Sequence, residues 1–129
     1  MTKKVSFGFD GVLNRPDVQE FIQELIKSGV EVFITTSEYN PMLSNMDVNY
    51  DTSSLWSIVN KLGIPCQNVI FTNMLPKSIF MTGSNCLFHL DSSPSVKYDI
   101  EHCTRIPVVI TQEKDFLTIC KNHLKNAHN

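Results

Sequence analysis

The stretch on which the predicted fold depends is Lys4-Val5-Ser6-Phe7-Gly8-Phe9-Asp10-Gly11-Val12-Leu13-Asn14. Its apolar residues Val5, Phe7 and Phe9 stand at every second position, which is typical of a β-strand. The run stops at Asp10-Gly11, a pair that favours a turn and holds a carboxylate at the end of the strand. Ligands of open α/β sheets bind at the carboxyl ends of the strands, so Asp10 is a candidate residue of a metal or phosphate site. The alternative is that Asp10 only turns or caps the chain.

The composition is that of an ordinary globular protein, and its charge does not suggest nucleic-acid binding. The 129 residues are 42% hydrophobic and 9% aromatic, and a chain of this length buries about two-thirds of its unfolded surface. With 11 basic and 13 acidic residues the formal net charge is −2, whereas nucleic-acid-binding domains carry a basic face. Neither a signal peptide nor a membrane-spanning apolar run is found, so a cytoplasmic protein without membrane association is expected. The four cysteines lack metal-binding spacing, and Cys86, Cys103 and Cys120 are expected to be free, buried thiols.

The rest of the chain alternates between predicted strands and predicted helices. Four further strands are predicted at 30–34, 68–72, 86–90 and 106–110, and helices at 18–26, 55–62, 116–124 and, more weakly, 96–102. Residues 39–50 are interpreted as a loop, and 74–82 as a segment that holds one helical turn. Strands that alternate with helices in this way predict a parallel sheet covered on both faces. The predicted fold over residues 1–129 is therefore a single α/β domain, a doubly wound, Rossmann-like parallel sheet of about five strands with helices on both faces.

Polar side chains follow four of the predicted strands: Asp10, then Thr36 and Ser37, then Lys77, then Asp91. Because the carboxyl ends of parallel strands share one edge of the sheet, these groups can converge. The carboxylates of Asp10 and Asp91 suit a hard divalent cation such as Mg²⁺. The hydroxyl groups, backbone N–H groups and the Lys77 ammonium suit the oxygens of a phosphate. Each residue also has an ordinary interpretation, with Lys77 as a solvated lysine and Thr36 as a strand-end hydroxyl.

This ordered set resembles the motifs of the haloacid dehalogenase-like (HAD) phosphatase superfamily. Phe9-Asp10-Gly11-Val12-Leu13 is similar to the second half of the first motif, a hydrophobic strand followed by Asp-x-Asp-Gly-x-Leu. Ile34-Thr35-Thr36-Ser37 is similar to the second motif, Lys77 to the third, and Phe88-His89-Leu90-Asp91 to the fourth. The resemblance covers nearly the whole chain and implies a short, capless form of the kind found in small phosphatases and phage-encoded proteins.

The resemblance implies a role for each matching position. In the family, a first aspartate attacks phosphorus, and a second protonates the leaving group and then activates water. Asp10 stands at this second, acid/base position, and its backbone carbonyl is expected to contact the metal. Thr36, with Ser37 beside it, stands at the position of the family's phosphate-binding hydroxyl residue. Lys77 stands at the position of the family's phosphate-binding lysine. Asp91 stands at the position of the acidic residue that helps to bind Mg²⁺ in the family, and Asp10 is the other expected metal residue.

The nucleophile position is Gly8, which has no side chain. The covalent route is therefore closed, and one carboxylate ligand of Mg²⁺ is missing, so Mg²⁺ binding is expected to be weak or absent without a ligand. Two interpretations of Gly8 stay open: a family member that has lost its chemistry, or a glycine required by a bulge or a close backbone approach. Ser92 and Glu38 also depart from the pattern, since many relatives carry a second acid and an arginine at these positions.

Two functional hypotheses follow. The first is a catalytically impaired or inactive HAD-like protein that keeps a phosphate- and Mg²⁺-type pocket as a binding or interaction module. The alternative is an active Mg²⁺-dependent phosphatase on a small phosphoester or nucleotide, with direct attack by water and Asp10 as the base. The implied partner is a phosphorylated small molecule or a protein, because a site without a cap is open. If the rest of the pocket is intact, the substitution Gly8→Asp should give activity.

Overall fold

A computed structural model describes residues 2–40 and 52–127 and shows a five-stranded sheet between two layers of helices. The strands are β1 (Lys4–Phe7), β2 (Glu31–Thr36), β3 (Val69–Phe71), β4 (His89–Asp91) and β5 (Val108–Ile110), and the helices are α1 (Pro16–Lys27), α2 (Ser53–Leu62), α3 (Lys77–Met81), α4 (Pro94–Cys103) and α5 (Phe116–Lys125). All four strand pairs are parallel. The predicted α/β class, parallel sheet of five strands and helices on both faces are confirmed.

The order of the strands across the sheet is β3-β2-β1-β4-β5, which places β1 in the centre. From β1 the chain runs outward through β2 to β3, and it then crosses back to β4 and β5 on the other side. The connection that follows β1 therefore leads to β2 on one side of the sheet centre, and the connection that follows β4 leads to β5 on the other side. In open α/β sheets this reversal opens a crevice at the carboxyl ends of the two strands, and ligands bind there.

One face of the sheet is covered by α1, α2 and α5 and is almost entirely apolar. Val5 and Phe7 of β1 point into this layer and are fully buried. The ring of Phe7 makes edge-on contacts with Phe21 of α1, at 6.1 Å between centroids, and with Phe88, at 5.7 Å. Such edge-to-face pairs add to the free energy of burying the rings. This layer is the main hydrophobic core of the protein.

The other face is covered by α3 and α4, and its interior is partly polar. Met81 of α3, Ile100 of α4 and Val108 of β5 belong to a second, smaller hydrophobic cluster. Because side chains alternate along a strand, the residues between the apolar ones of the first face point to this side. They include Ser6 of β1 and His89 of β4, both of which are fully buried. The partly polar face is the one that leads to the candidate site.

The observed elements differ from the predicted ones mainly at their ends. The first strand ends at Phe7, before Phe9, because residues Phe9–Leu13 form a tight turn in which Gly11 has a φ of 71°. The segment 86–90 forms a strand only from His89 onward. Most of the predicted loop at 39–50 lies outside the described residues. No helix within residues 2–40 and 52–127 is long and apolar enough to cross a membrane.

The cysteines are all free, as predicted, but they divide into two environments. Cys86 and Cys120 are buried, whereas Cys66 and Cys103 are exposed. The prediction that Cys103 is buried is wrong, because it is the last residue of α4 and lies beyond the buried stripe of that helix. Burial raises the pKa of Cys86, and it raises the pKa of Cys120 to about 12.

We expect the native protein to react with a thiol reagent at two of its four cysteines. Cys66 and Cys103 should react quickly, whereas Cys86 and Cys120 should react only after unfolding, because the thiolate is the reactive form and burial disfavours it. The measurement is the number of thiols titrated by Ellman's reagent with and without denaturant. The Cys66→Ser variant should lose one rapidly reacting thiol. Rapid reaction of all four thiols in the native state would contradict the fold.

Candidate functional site

The candidate site is built where β1 and β4 end side by side. Phe7 and Leu90 are paired in register, so the next residues along the two strands, Gly8 and Asp91, are neighbours. The backbone N–H of Gly8 donates a hydrogen bond to the carbonyl oxygen of Leu90 at 2.8 Å. Lys77, the first residue of α3, reaches the same point from the partly polar face. The parallel pairing of β1 with β4, where the order of the strands in the sheet reverses, thus brings together three residues predicted from sequence.

The carboxylate of Asp91 accepts four hydrogen bonds from the protein. Its Oδ2 atom accepts from Nζ of Lys77 at 2.6 Å and from Nε2 of His89 at 2.7 Å. Its Oδ1 atom accepts from the backbone N–H groups of Ser92 at 2.8 Å and Ser93 at 3.1 Å. A carboxylate offers about four acceptor positions, so the hydrogen-bonding capacity of Asp91 is fully used. Asp91 and Lys77 are only 5% and 6% exposed.

The protonation state of this cluster follows from its contacts. Burial would raise the pKa of Asp91, but the hydrogen bond from His89 and the charge of Lys77 outweigh burial and hold the pKa well below its usual range. Burial lowers the pKa of His89, and the nearby Lys77 charge lowers it further against the opposing effect of Asp91. The cluster therefore consists of an ionised carboxylate, an ammonium group and a neutral imidazole.

The imidazole of His89 connects Asp91 to the interior of the sheet. Because an ionised carboxylate can only accept, Nε2 of His89 carries the proton, and Nδ1 accepts from the Ser6 hydroxyl at 2.9 Å. The Ser6 oxygen in turn accepts from the Thr35 hydroxyl at 2.8 Å. This chain of hydrogen bonds crosses β2, β1 and β4 and gives a partner to each of the buried side chains Thr35, Ser6 and His89. His89 is therefore a buried histidine with both ring nitrogens hydrogen-bonded.

Ser6, His89 and Asp91 have the residue types of a catalytic triad, but Ser6 is not placed as a nucleophile. A nucleophilic serine must reach the substrate with its oxygen and transfer its proton to the histidine. The side chains of Ser6 and His89 are 0% exposed. No substrate atom can approach Ser6 without opening the sheet, so the three residues have a structural role.

The ammonium of Lys77 is held in place because α3 is fixed along its whole length. Ser78 donates to the Asp99 carboxylate of α4 from its backbone N–H at 3.0 Å and from its hydroxyl at 2.7 Å. At the other end of α3, the sulfur of Met81 lies 3.7 Å from the Thr35 oxygen. A short helix anchored at both ends leaves Lys77 little freedom to leave Asp91.

Gly8 approaches the Lys77–Asp91 pair so closely that no side chain fits without a rearrangement. A Cβ atom on Gly8 would lie 2.9 Å from Oδ2 of Asp91 and 3.3 Å from Nζ of Lys77. The backbone of Gly8 is extended, with φ of −74° and ψ of 176°, a conformation open to any residue. The requirement for glycine is therefore one of space rather than of backbone conformation. This geometry agrees with the interpretation of Gly8 as a site of close approach.

Thr36 and Ser37 lie at the end of β2 and face a different set of partners. The Thr36 hydroxyl donates to Oε1 of Glu38 at 3.2 Å. Burial raises the pKa of Glu38, the Thr36 hydrogen bond opposes this effect, and the negative charge of Asp10 raises the pKa further. A phosphate oxygen at Thr36 would have to compete with the carboxylate of Glu38.

Asp10 is exposed, and its backbone carbonyl already accepts a hydrogen bond from the Ser92 hydroxyl at 2.8 Å. The other expected Mg²⁺ ligand, Asp91, has both oxygens engaged by protein donors. Mg²⁺ requires near-octahedral oxygen ligands at about 2.0–2.1 Å, and an ammonium group lies against Oδ2 of Asp91 in this space. Within residues 2–40 and 52–127, no three His, Cys, Asp or Glu side chains are grouped to hold a metal ion. The residues present do not fit the ion, and Mg²⁺ binding itself stays a prediction.

A shallow groove of about 340 Å³ adjoins Lys77 on its outer side. Its lining is Ser37, Met74, Leu75, Pro76, Lys77, Ser95, Val96 and Asp99. Met74 and Leu75 are 63% and 51% exposed, which is unusual for large apolar side chains. The groove joins one predicted site residue, Ser37, to another, Lys77. It therefore extends the candidate site towards the surface.

Sequence reasoning missed two contacts that shape the site. The position of Glu38 is noted in the sequence as a departure from the family pattern, but its hydrogen bond with Thr36 is not foreseen. The connection from Asp91 through His89 to Ser6 is also absent from the prediction. One signal for it exists: Ser6 and His89 are the polar residues at alternate positions of two apolar strands. Buried polar residues on one face of a sheet need partners there.

No protein-family model matches the chain, and no curated protein shows a significant similarity to it. The resemblance to the HAD superfamily therefore stays a prediction that rests on the motif residues.

We expect Gly8→Ala to destabilise the protein by about 1–3 kcal/mol, because the added methyl group overpacks the space beside Asp91. At an uncrowded position with this backbone conformation, the same substitution would stabilise by about 0.4–1 kcal/mol through the unfolded chain. The measurement is the free energy of unfolding from urea denaturation. In an Asp91→Ala background the penalty should shrink, because the atom that causes the clash is removed. An equal penalty in both backgrounds would contradict the contact.

We expect the free energy of unfolding to fall as the pH decreases from 7 towards 3. The unfolded chain takes up a proton on Asp91 near the ordinary pKa of 3.8, whereas the native carboxyl stays ionised, so protons favour unfolding. Asp91→Asn should flatten this dependence and, at pH 7, cost about 3–5 kcal/mol, because it leaves the Lys77 ammonium buried without its partner. Urea denaturation at several pH values measures both effects.

The same substitution at Asp17 is the matched control. Asp17 forms an ion pair with Arg15 at 3.0 Å, and the hydrogen bond from Arg15 lowers its pKa, but both side chains are exposed. Asp17→Asn should therefore cost at most about 1 kcal/mol at pH 7. A similar loss for Asp17→Asn and Asp91→Asn would show that the buried pair at Asp91 has no special role in stability.

Proposed function

We propose that this chain is a HAD-like phosphatase-fold protein that does not transfer phosphoryl groups and that acts as an interaction module through the carboxyl edge of its sheet. The observation that carries the proposal is the contact of Gly8 with the Lys77–Asp91 pair. At the position where the nucleophile would stand, a Cβ atom would lie 2.9 Å from a carboxylate oxygen. Asp91 is the last residue of β4, and Asp10 and Lys77 follow β1 and β3, so all three belong to the carboxyl edge of the parallel sheet, which supports the family relationship.

The charges at this edge support the loss of transfer chemistry. Phosphoryl transfer depends on cations and hydrogen-bond donors that stabilise the negative charge of the transition state. Here the Lys77 ammonium is paired with Asp91, and the Thr36 hydroxyl donates to Glu38. The Thr36 hydroxyl has a single proton, so a phosphate oxygen could accept from it only by displacing Glu38. The Lys77 ammonium has further N–H donors, but it is only 6% exposed and its charge is already balanced by Asp91. Since Gly8 supplies no nucleophile, the acceptor of the family mechanism is missing, and its stabilising groups are engaged by carboxylates of the protein.

The surface beside the site favours a protein partner over a phosphorylated small molecule. Small-molecule sites are deep clefts that bury most of the ligand, whereas the groove beside Lys77 is shallow and bordered by exposed Met74 and Leu75. Exposed apolar side chains rimmed by polar residues are typical of protein interaction surfaces. Methionine adapts its shape to the partner that it contacts. The groove therefore supports an interaction role for the carboxyl edge.

The direct test is phosphatase activity. We expect the wild-type protein with Mg²⁺ and 4-nitrophenyl phosphate to release no more nitrophenolate than a protein-free blank, because the nucleophile is missing and Lys77 is already paired. The Asp10→Asn variant should give the same rate as wild type. Wild-type turnover that Asp10→Asn abolishes would contradict the proposal and establish the alternative, an active phosphatase with Asp10 as the base.

The Gly8→Asp variant separates a missing nucleophile from a rearranged site. In the structure, a side chain at this position requires Asp91 to move, and the new carboxylate would compete with Asp91 for Lys77. We therefore expect a folded Gly8→Asp protein without turnover, in contrast to the expectation from sequence. Turnover by Gly8→Asp would show that the rest of the pocket is competent. It would contradict the expectation that a side chain at position 8 rearranges the site.

A further inference from the structure

We propose that the ammonium group of Lys77 is the resident cation of this edge, that it neutralises Asp91 in place of a divalent metal ion, and that ligand recognition here does not involve Mg²⁺. The inference rests on the proposed function only in treating the carboxyl edge of the sheet as the ligand-binding edge. It concerns the identity of the cation, whereas the proposed function concerns the absence of phosphoryl transfer.

The first argument is the use of the acceptor positions of Asp91. Its four hydrogen bonds come from Lys77, His89 and two backbone N–H groups. A metal ion could bind Oδ1 only by displacing the backbone donors at the start of α4, and Oδ2 only by displacing an ammonium and an imidazole. The displaced Lys77 ammonium and His89 N–H would stay buried without a partner, which carries a substantial free-energy cost.

The second argument is the balance of charge. In the family pattern, two carboxylates and a lysine surround the ion, so a dication reduces a net negative charge. With Gly8 at the nucleophile position, one carboxylate of Asp91 faces one ammonium of Lys77, and the buried pair is already neutral. A dication added to this neutral, largely buried cluster would be an uncompensated charge in a region of low dielectric.

The third argument is the fixed position of the ammonium. Lys77 begins α3, and Ser78 joins the same helix to Asp99 of α4 through two hydrogen bonds. The Lys77 side chain is 6% exposed, so turning it outward would uncover Asp91 and leave that carboxylate without its charged partner. The Lys77 ammonium is therefore a fixed part of the site rather than a mobile group that a metal ion can replace.

The test uses Mn²⁺, which takes the same oxygen ligands as Mg²⁺ and broadens nearby NMR signals. In ¹⁵N-labelled wild-type protein, Mn²⁺ should cause no saturable broadening of the amide signals of Gly8, Ser92 and Ser93, either alone or with inorganic phosphate present. In the Lys77→Met variant, which keeps most of the side-chain length but lacks the charge, Mn²⁺ should cause saturable broadening of these amide signals, because the competing ammonium is removed. The Asp91→Asn substitution added to Lys77→Met should abolish that binding.

The control is Lys114→Met, which removes one positive charge from an exposed lysine in the connection that follows β5. Its response to Mn²⁺ should match that of wild type. Saturable Mn²⁺ binding by wild type at Gly8 and Ser92 would overturn the inference, as would a folded Lys77→Met protein with no gain in affinity. The wild-type measurement decides the matter even if Lys77→Met does not fold. A metal site in wild type without phosphatase turnover would leave the proposed function standing, whereas turnover without a metal site would contradict only the proposed function.

Discussion

The close approach of the Gly8 backbone to the Lys77–Asp91 ion pair is the constraint on which the arrangement of the carboxyl edge depends. Two buried charges in contact are tolerated only when the geometry is good and the remaining hydrogen-bonding groups are satisfied. Asp91 meets this condition with four donors, two of which are backbone N–H groups that its own chain supplies as β4 turns into α4. The space that the pair needs is available because residue 8 has no side chain. The same glycine therefore permits the ion pair and removes the side chain that the family mechanism would use.

The two faces of the sheet contribute to this arrangement in different ways. The apolar face, with the rings of Phe7, Phe21 and Phe88, provides most of the hydrophobic burial that stabilises the fold. On the face under α3 and α4, the polar residues Ser6 and His89 occupy buried positions that apolar side chains take on the other face. Both have hydrogen-bonding partners there. Satisfied polar networks of this kind define a single arrangement of the side chains, because a partly broken network is costly. The network extends from the interior of the sheet to its carboxyl edge, and it holds the Asp91 carboxylate in one orientation.

The departures of this chain from the family pattern are chemically consistent with one another. Gly8 removes a negative charge from the centre of the site, and the Lys77 ammonium then suffices to neutralise Asp91. Glu38 places a negative charge beside the Thr36 hydroxyl, where a phosphate oxygen would be expected in a relative. On the proposed function, each change would lower the affinity of the edge for a phosphate group or a divalent ion, and none of them opposes the others.

Local patterns in the sequence were enough to predict the class of the fold. Alternation at every second residue in β1 and the three-to-four-residue spacing of apolar side chains in α1 and α5 report which side of each element is buried, and this information is local. The Asp10-Gly11 turn and the polar residues after the other strands identified the carboxyl edge as the place for a site. The absence of a side chain at residue 8 was visible as well, because it is a property of the sequence itself.

Only the tertiary structure decided how these residues meet. Periodicity carries no information about strand order, and the site depends on the pairing of β1 with β4, which joins Ser6 to His89 across 83 positions of the chain. The same pairing sets the distance from Gly8 to Asp91, so the spatial reason for glycine could not be derived from its neighbours in sequence. The partners of Lys77 and Thr36 were undetermined for the same reason, since a charged or hydroxyl group binds whichever acceptor the fold brings within about 3 Å. The sequence identified the candidate groups, and the packing of the sheet against α3 determined that Asp91 and Glu38 are their partners.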